Sequence, residues 1–187
     1  MAKFFGNLHA VLVAGLALTF AVMFALHPEE VGTNSVLRWL HTFVGIVWIG
    51  LLYYFNFVQI PTMPTVPAEL KPGVTKFIAP KALFFFRWGA ALTVLFGLAI
   101  AGGAKYLAPA LMLQQGYALI GVGMWLGLIM AFNVWFVIWP NQKKALGIVP
   151  AEDAVKAKAA TTAMIFSRIN TALSLPMLYT MVSFNGG

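Results

Sequence analysis

His41 is the residue of this chain best suited to chemistry inside a membrane. It sits in the stretch "LRWLHTFVGIVWIGLLYYFNF", residues 37–57, which is otherwise apolar. A neutral imidazole is a common axial ligand of haem iron. On a helix, His41, Gly45, Trp48, Leu52, Asn56 and Gln59 recur at helical spacing and share one face. A face of glycine and polar residues in a lipid-immersed helix points inward. The plain alternative is a histidine hydrogen-bonded to a neighbouring carbonyl. Two further histidines, His27 and His9, complete the set. His9 enters from the side of the N-terminus and His41 from the opposite side, so His27 is the better-placed partner for His41. Methionine is a third option, with Met23 and Met112 in the corresponding regions.

A second polar set consists of Arg87, Arg168, Asn56 and Asn133. Each lies about two turns from the end of an apolar run, so at 1.5 Å per residue all four fall at a similar depth. Arg168 stands with Ser167, Asn170, Thr171 and Ser174, a polar stripe at helical spacing. These spacings predict a polar ring in one leaflet, with paired guanidiniums able to clamp a carboxylate or phosphate. Snorkelling arginines and asparagines acting as interhelical glue are the simpler alternative.

The elements that position these residues follow from composition. The chain has 187 residues, of which 61% are hydrophobic and 9% charged. Soluble domains carry about 25% charged residues. The chain therefore reads as an all-α, multi-pass membrane protein forming a single integral membrane domain over 1–187. Runs long enough to cross a bilayer fall at about 6–26, 36–60, 82–101, 116–139 and 161–184. Pro28, Pro61, Pro140 and the Gly102–Gly103 pair mark the expected exits. Lys3 before the first run has a signal-peptide flavour, but the run is longer than usual for one and is expected to stay as an anchor.

With cysteine absent, thiolate metal sites, iron–sulfur clusters and covalent haem attachment are excluded. No HExxH, phosphate-loop, paired-carboxylate or Ser–His–Asp constellation occurs, and the acids, Glu69 and Asp153 among them, fall between the apolar runs. The net charge of +7 sorts by side. Lys3, Lys71, Lys76, Lys81, Lys143, Lys144, Lys156 and Lys158 lie on the side of the N-terminus. Lys105 and Arg38 lie opposite, beside Glu29 and Glu30. Positive loops stay cytoplasmic, which places the N-terminus inside and the C-terminus outside. The charge excess then calls for a lipid bilayer as partner, not nucleic acid.

The segment "WIGLLYYFNF" (48–57) is written again as "WLGLIMAFNV" (125–134), and "FFRWGAALTV" (85–94) as "FSRINTALSL" (166–175). Two matches in one order predict a tandem parallel repeat of a helical hairpin. Its halves cover about 36–101 and 116–184, with a pseudo-two-fold axis along the membrane normal. Gly50 and Gly127 are expected to let backbones approach, with Gly123 and Gly127 as a small-xxx-small pair.

The stretches "LRWLHTFVGIVWIGLLYYF" (37–55), "FNVWFVIWPNQKK" (132–144) and "LSLPMLYTMVS" (173–183) resemble the membrane-embedded N-terminal domain of the bacterial urate oxidase (urate hydroxylase) family. There is a looser similarity to small haem-binding membrane proteins. His41, Trp48, Gly50, Asn133, Pro140, Asn141, Gln142 and Lys143 match the pattern, with Lys81 and Trp88 also aligned. Ile169, Asn170 and Thr171 depart from it where a histidine is usual, as does Leu83 where an acid is usual. The family's C-terminal cytochrome c domain is not present in this sequence. The resemblance implies a bacterial inner-membrane location and a link to urate oxidation. Three functions stay open: a haem b electron-transfer subunit working with a membrane-protein or cytochrome c partner, a non-catalytic accessory subunit of a larger complex, and urate oxidation with a separate cytochrome c.

Overall fold

The computed structural model describes residues 1–184. Five long helices follow one another: α1, Leu8–Leu26; α2, Thr33–Thr62; α3, Lys71–Gly103; α4, Ala118–Ala145; and α5, Asp153–Ser183. No strand occurs among the described residues. The first four are long and apolar enough to cross a membrane. The fifth is of similar length but more polar, because Ser167, Asn170, Ser174 and Thr180 occupy its buried face. The C-terminal end, expected on the outer side, lies outside the described residues.

Local chemistry sets most of the boundaries. Asn7 caps α1, its side chain accepting from the backbone N–H groups of His9 and Ala10. Pro28 stops that helix. Ser35 Oγ accepts from the Gly32 N–H at 3.0 Å and opens α2. Between α3 and α4 a short helix, Leu107–Leu111, packs on α4. Gly121 makes that packing possible, since a Cβ there would collide with the Ala110 carbonyl.

Pro61 and Pro140 do not end their helices as expected. Both α2 and α4 run through them by way of a wide, π-helical turn. Such turns span Tyr54–Gln59, Val74–Ile78 and Asn133–Ile138, and each ends two residues before a proline: Pro61, Pro80 and Pro140. A proline ring presses on the preceding turn and cannot donate to it. Widening that turn relieves the contact without breaking the helix. Side-chain amides bond to carbonyls there: Asn56 donates to the Leu52 carbonyl and Asn141 to that of Val137.

The bundle is built by α2 against α3 and α4 against α5, with α5 also meeting α2. Its centre is Trp48, Leu52, Phe86, Met130, Val134 and Ile138, each no more than 1% exposed. No residue of α1 is buried. Close backbone contact does not occur at Gly50 or Gly127, where a Cβ would meet nothing. It occurs at Gly89, where a Cβ would lie 3.3 Å from the Trp48 Cβ, and at Gly123, where it would strike Thr180. The expected pair was misplaced because glycine content alone does not say which face of a helix meets a neighbour.

Candidate functional site

A cavity of about 660 Å³ opens between α2, α3, α4 and α5. His41, Gly45 and Trp48 face it from α2, Thr93 and Gly97 from α3, Met124 from α4, and Met177 and Met181 from α5. An adjoining void of about 50 Å³ continues past Trp48 towards Gly127 and Leu128. The volume falls in the usual range of ligand sites, roughly 300–1,000 Å³.

His41 Nδ1 stands 2.8 Å from the Thr93 carbonyl oxygen. A carbonyl only accepts, so Nδ1 carries the proton and, in the neutral ring, Nε2 keeps its lone pair. The ring lies over Gly97, where a Cβ would come within 3.0 Å of His41 Cε1. Thr93 is itself fixed, its hydroxyl donating to the Gly89 carbonyl at 2.7 Å. Residues 89, 93 and 97 therefore form the surface against which Trp48 and His41 pack. The face predicted for α2 is the inward one. Trp48 is 1% exposed, and its indole N–H is buried without an acceptor.

Arg38 and Tyr106 stand among the residues lining this cavity. Tyr106 lies between α3 and α4, stacked on Tyr117 with ring centroids 6.0 Å apart. Burial pushes its phenol above the ordinary tyrosine range, and the Arg38 charge opposes that shift. For a haem, this donor set fits. A neutral imidazole has its second nitrogen available, the walls are largely apolar, and an arginine suits the propionates. His9 and His27 lie at the two ends of α1 and do not line the cavity, nor do Met23 and Met112. The structure instead brings Met124, Met177 and Met181 to His41. Among the described residues no group of three His, Asp or Glu side chains could hold a bare metal ion.

The second polar set resolves into a seam along α5. Asn133 Nδ2 donates to Asn170 Oδ1 at 2.9 Å, and Asn170 donates to the Met130 carbonyl at 2.9 Å. Asn56 donates to Ser167 Oγ at 2.7 Å. Tyr53 OH lies 2.9 Å from Ser174 Oγ, which gives its own proton to the Thr171 carbonyl, so Tyr53 is the donor. Asn56 and Asn133 are thus joined to α5, not to each other.

The arginines do not complete a ring. Arg168 is exposed. The buried face of α5 runs through 167, 170 and 174, and one residue along a helix turns a side chain about 100° away from that face. Arg87 leaves the seam for α4, its guanidinium 3.4 Å from the centre of the Trp139 ring. Trp135 Nε1 donates to the Arg87 carbonyl at 3.2 Å. Sequence reasoning missed Tyr53, Thr93 and Trp139. The four-residue spacing of Gly89, Thr93 and Gly97 was the available signal for Thr93.

Four membrane-length apolar helices, a fifth joined to them by buried hydrogen bonds, and a cavity within the bundle define an all-helical protein of the membrane class. Residues 104–185, a little under half of the chain, match the family described as urate oxidase N-terminal. The match includes Asn133, Pro140–Lys143 and Asn170, and begins after His41 and Arg87. No curated protein and no solved structure matches the chain.

Proposed function

We propose that the chain is a membrane-embedded electron-transfer subunit that binds haem b in the α2–α5 cavity with His41 as axial ligand. The observation that carries this reading is the His41–Thr93 hydrogen bond, which holds Nδ1 and leaves Nε2 available beside a cavity of about 660 Å³. Metal-bound histidines commonly give their other N–H to a carbonyl in this way. The cofactor would supply one-electron chemistry. The chain's own part is to fix the tautomer of His41, seat the ring over Gly97 and exclude water with apolar walls. A separate carrier, such as a cytochrome c, would take the electron.

The same proposal takes α5 as a fifth span, so that the N-terminus faces the cytoplasm of a bacterial inner membrane and the C-terminus faces away. The lysine distribution supports it. It also takes α2–α3 and α4–α5 as duplicated hairpins. Both entry helices carry an asparagine in a π-helical turn ahead of a proline, and both asparagines bond to α5.

The test is an absorption spectrum of the purified protein in detergent. Soret and α bands that respond to dithionite are expected, and His41→Ala should remove or shift them while the protein stays in the membrane. A colourless protein would sink the haem reading. An accessory subunit of a larger complex would then stand, a reading favoured by α1, none of whose residues is buried.

A further inference from the structure

The cluster formed by Arg87, Trp139 and Lys143 lies outside the cavity and is not explained by electron transfer. Arg87 stacks on the Trp139 indole at 3.4 Å, and Lys143 Nζ stands 5.6 Å from the centre of the same ring. Two cations therefore converge on one aromatic platform. Neither has a carboxylate to answer it, since no Asp or Glu occurs within α1–α4. Among the described residues, the ion pair that forms is Lys156–Asp153, on α5. Arg87 is half-buried, and its Nε and Nη1 are shut off from solvent without a hydrogen-bond acceptor. Leaving the donors of a charged guanidinium unmet in a membrane protein is costly.

A ligand reaches this guanidinium through Nη2, the nitrogen that is not shut off, and the surroundings identify its kind. Trp139 and Lys143 flank Pro140 at the lysine-rich end of α4, with Lys144 beside them, and tryptophan at a helix end belongs to the headgroup layer. Stacking on an indole restricts the guanidinium to a fixed plane, and its open Nη2 then suits a phosphate oxygen. Lysine adds a point charge. Arg168, placed similarly in the second hairpin, has no such platform: the repeat that sets Asn56 opposite Asn133 sets Thr62 opposite Trp139.

We infer that Arg87, Trp139 and Lys143 form a binding site for the phosphate of an anionic phospholipid in the leaflet on the lysine-rich side. Basic pockets between membrane helices on that side are suited to such headgroups. The ligand bridges α3 and α4, the two helices that join the halves of the bundle.

The test uses the full chain in nanodiscs of phosphatidylcholine mixed with phosphatidylglycerol, with the retained lipid read by native mass spectrometry. The wild type should retain phosphatidylglycerol above its bulk fraction. Arg87→Gln should reduce that enrichment about fivefold, while Arg168→Gln leaves it unchanged. Trp139→Leu, which removes the platform but keeps both charges, should also reduce it and serves where Arg87→Gln fails to fold. Equal enrichment in wild type and both site variants would overturn the site. So would an equal loss in Arg168→Gln, which would reduce the effect to bulk charge. Inorganic phosphate stabilising the wild type as much as phosphatidylglycerol does would exclude a lipid as the source.

Discussion

Asn170 is fully buried and spends both ends of its amide on α4, accepting from Asn133 Nδ2 and donating to the Met130 carbonyl. This pair fastens the second hairpin where apolar packing alone would allow the helices to slide. In lipid, neighbouring helices gain little from the hydrophobic effect, so such bonds and close packing set the register.

Asn170→Leu should destabilise the protein by about 1–3 kcal/mol, because Asn133 and the Met130 carbonyl lose their partner in a dry interior. Reversible unfolding in mixed micelles measures it. Asn133→Leu combined with Asn170→Leu should cost less than the two single changes added, with a coupling of about 0.6 kcal/mol. Strict additivity would show that the two amides act independently.

Gly97→Ala should disturb His41 more than Gly45→Ala does. A Cβ at 97 would lie 3.0 Å from the imidazole, whereas one at 45 would sit in ordinary contact with Thr93 at 3.8 Å. The imidazole NMR signals, or the cofactor spectrum where one is present, should shift in the first variant and stay in place in the second.

Tyr106 should ionise above the ordinary tyrosine range, since burial raises it more than Arg38 lowers it. Its contribution to stability is therefore fully present below the unfolded-state value of about 10 and is lost as pH rises through the folded-state value. Arg38→Gln should raise that value further by removing the opposing charge. Tyrosine-labelled NMR across an alkaline titration resolves it. A downward shift in the variant would contradict the assignment.

Because the chain has no cysteine, single cysteines report topology cleanly. Glu29→Cys and Lys105→Cys should be labelled from one side of the membrane, and Lys3→Cys and Lys144→Cys from the other. Labelling of positions 29 and 144 from the same side would rule out the proposed membrane orientation.

The amino-acid pattern fixes the helices for a simple reason. In lipid the backbone must satisfy its own hydrogen bonds, so a long apolar run has helix as its main solution. The face of α2 through His41, Trp48 and Asn56 was also readable, because a polar or glycine residue every third or fourth position marks an inward face in lipid. The buried stripe of Ser167, Asn170 and Ser174 was readable on the same ground. Proline, by contrast, was read as a stop signal. At Pro61 and Pro140 the helix widens and continues, a choice that depends on neighbours able to support the wide turn.

What each polar residue does was decided only by packing. The sequence placed Arg87 and Arg168 at corresponding positions of two hairpins and Asn56 and Asn133 at two others. The assembled bundle sent Arg168 outward, stacked Arg87 on Trp139, and joined the asparagines to α5. Side chains at equal depth converge only if their helices are rotated towards one another, and that rotation is set by contacts such as Gly89 with Trp48 and Gly123 with Thr180. The partner of His41 was hidden for the same reason. Thr93 lies 52 residues away, and it is a backbone carbonyl, which every residue carries, that meets the imidazole. No residue type announces that contact, so only the tertiary structure could supply it.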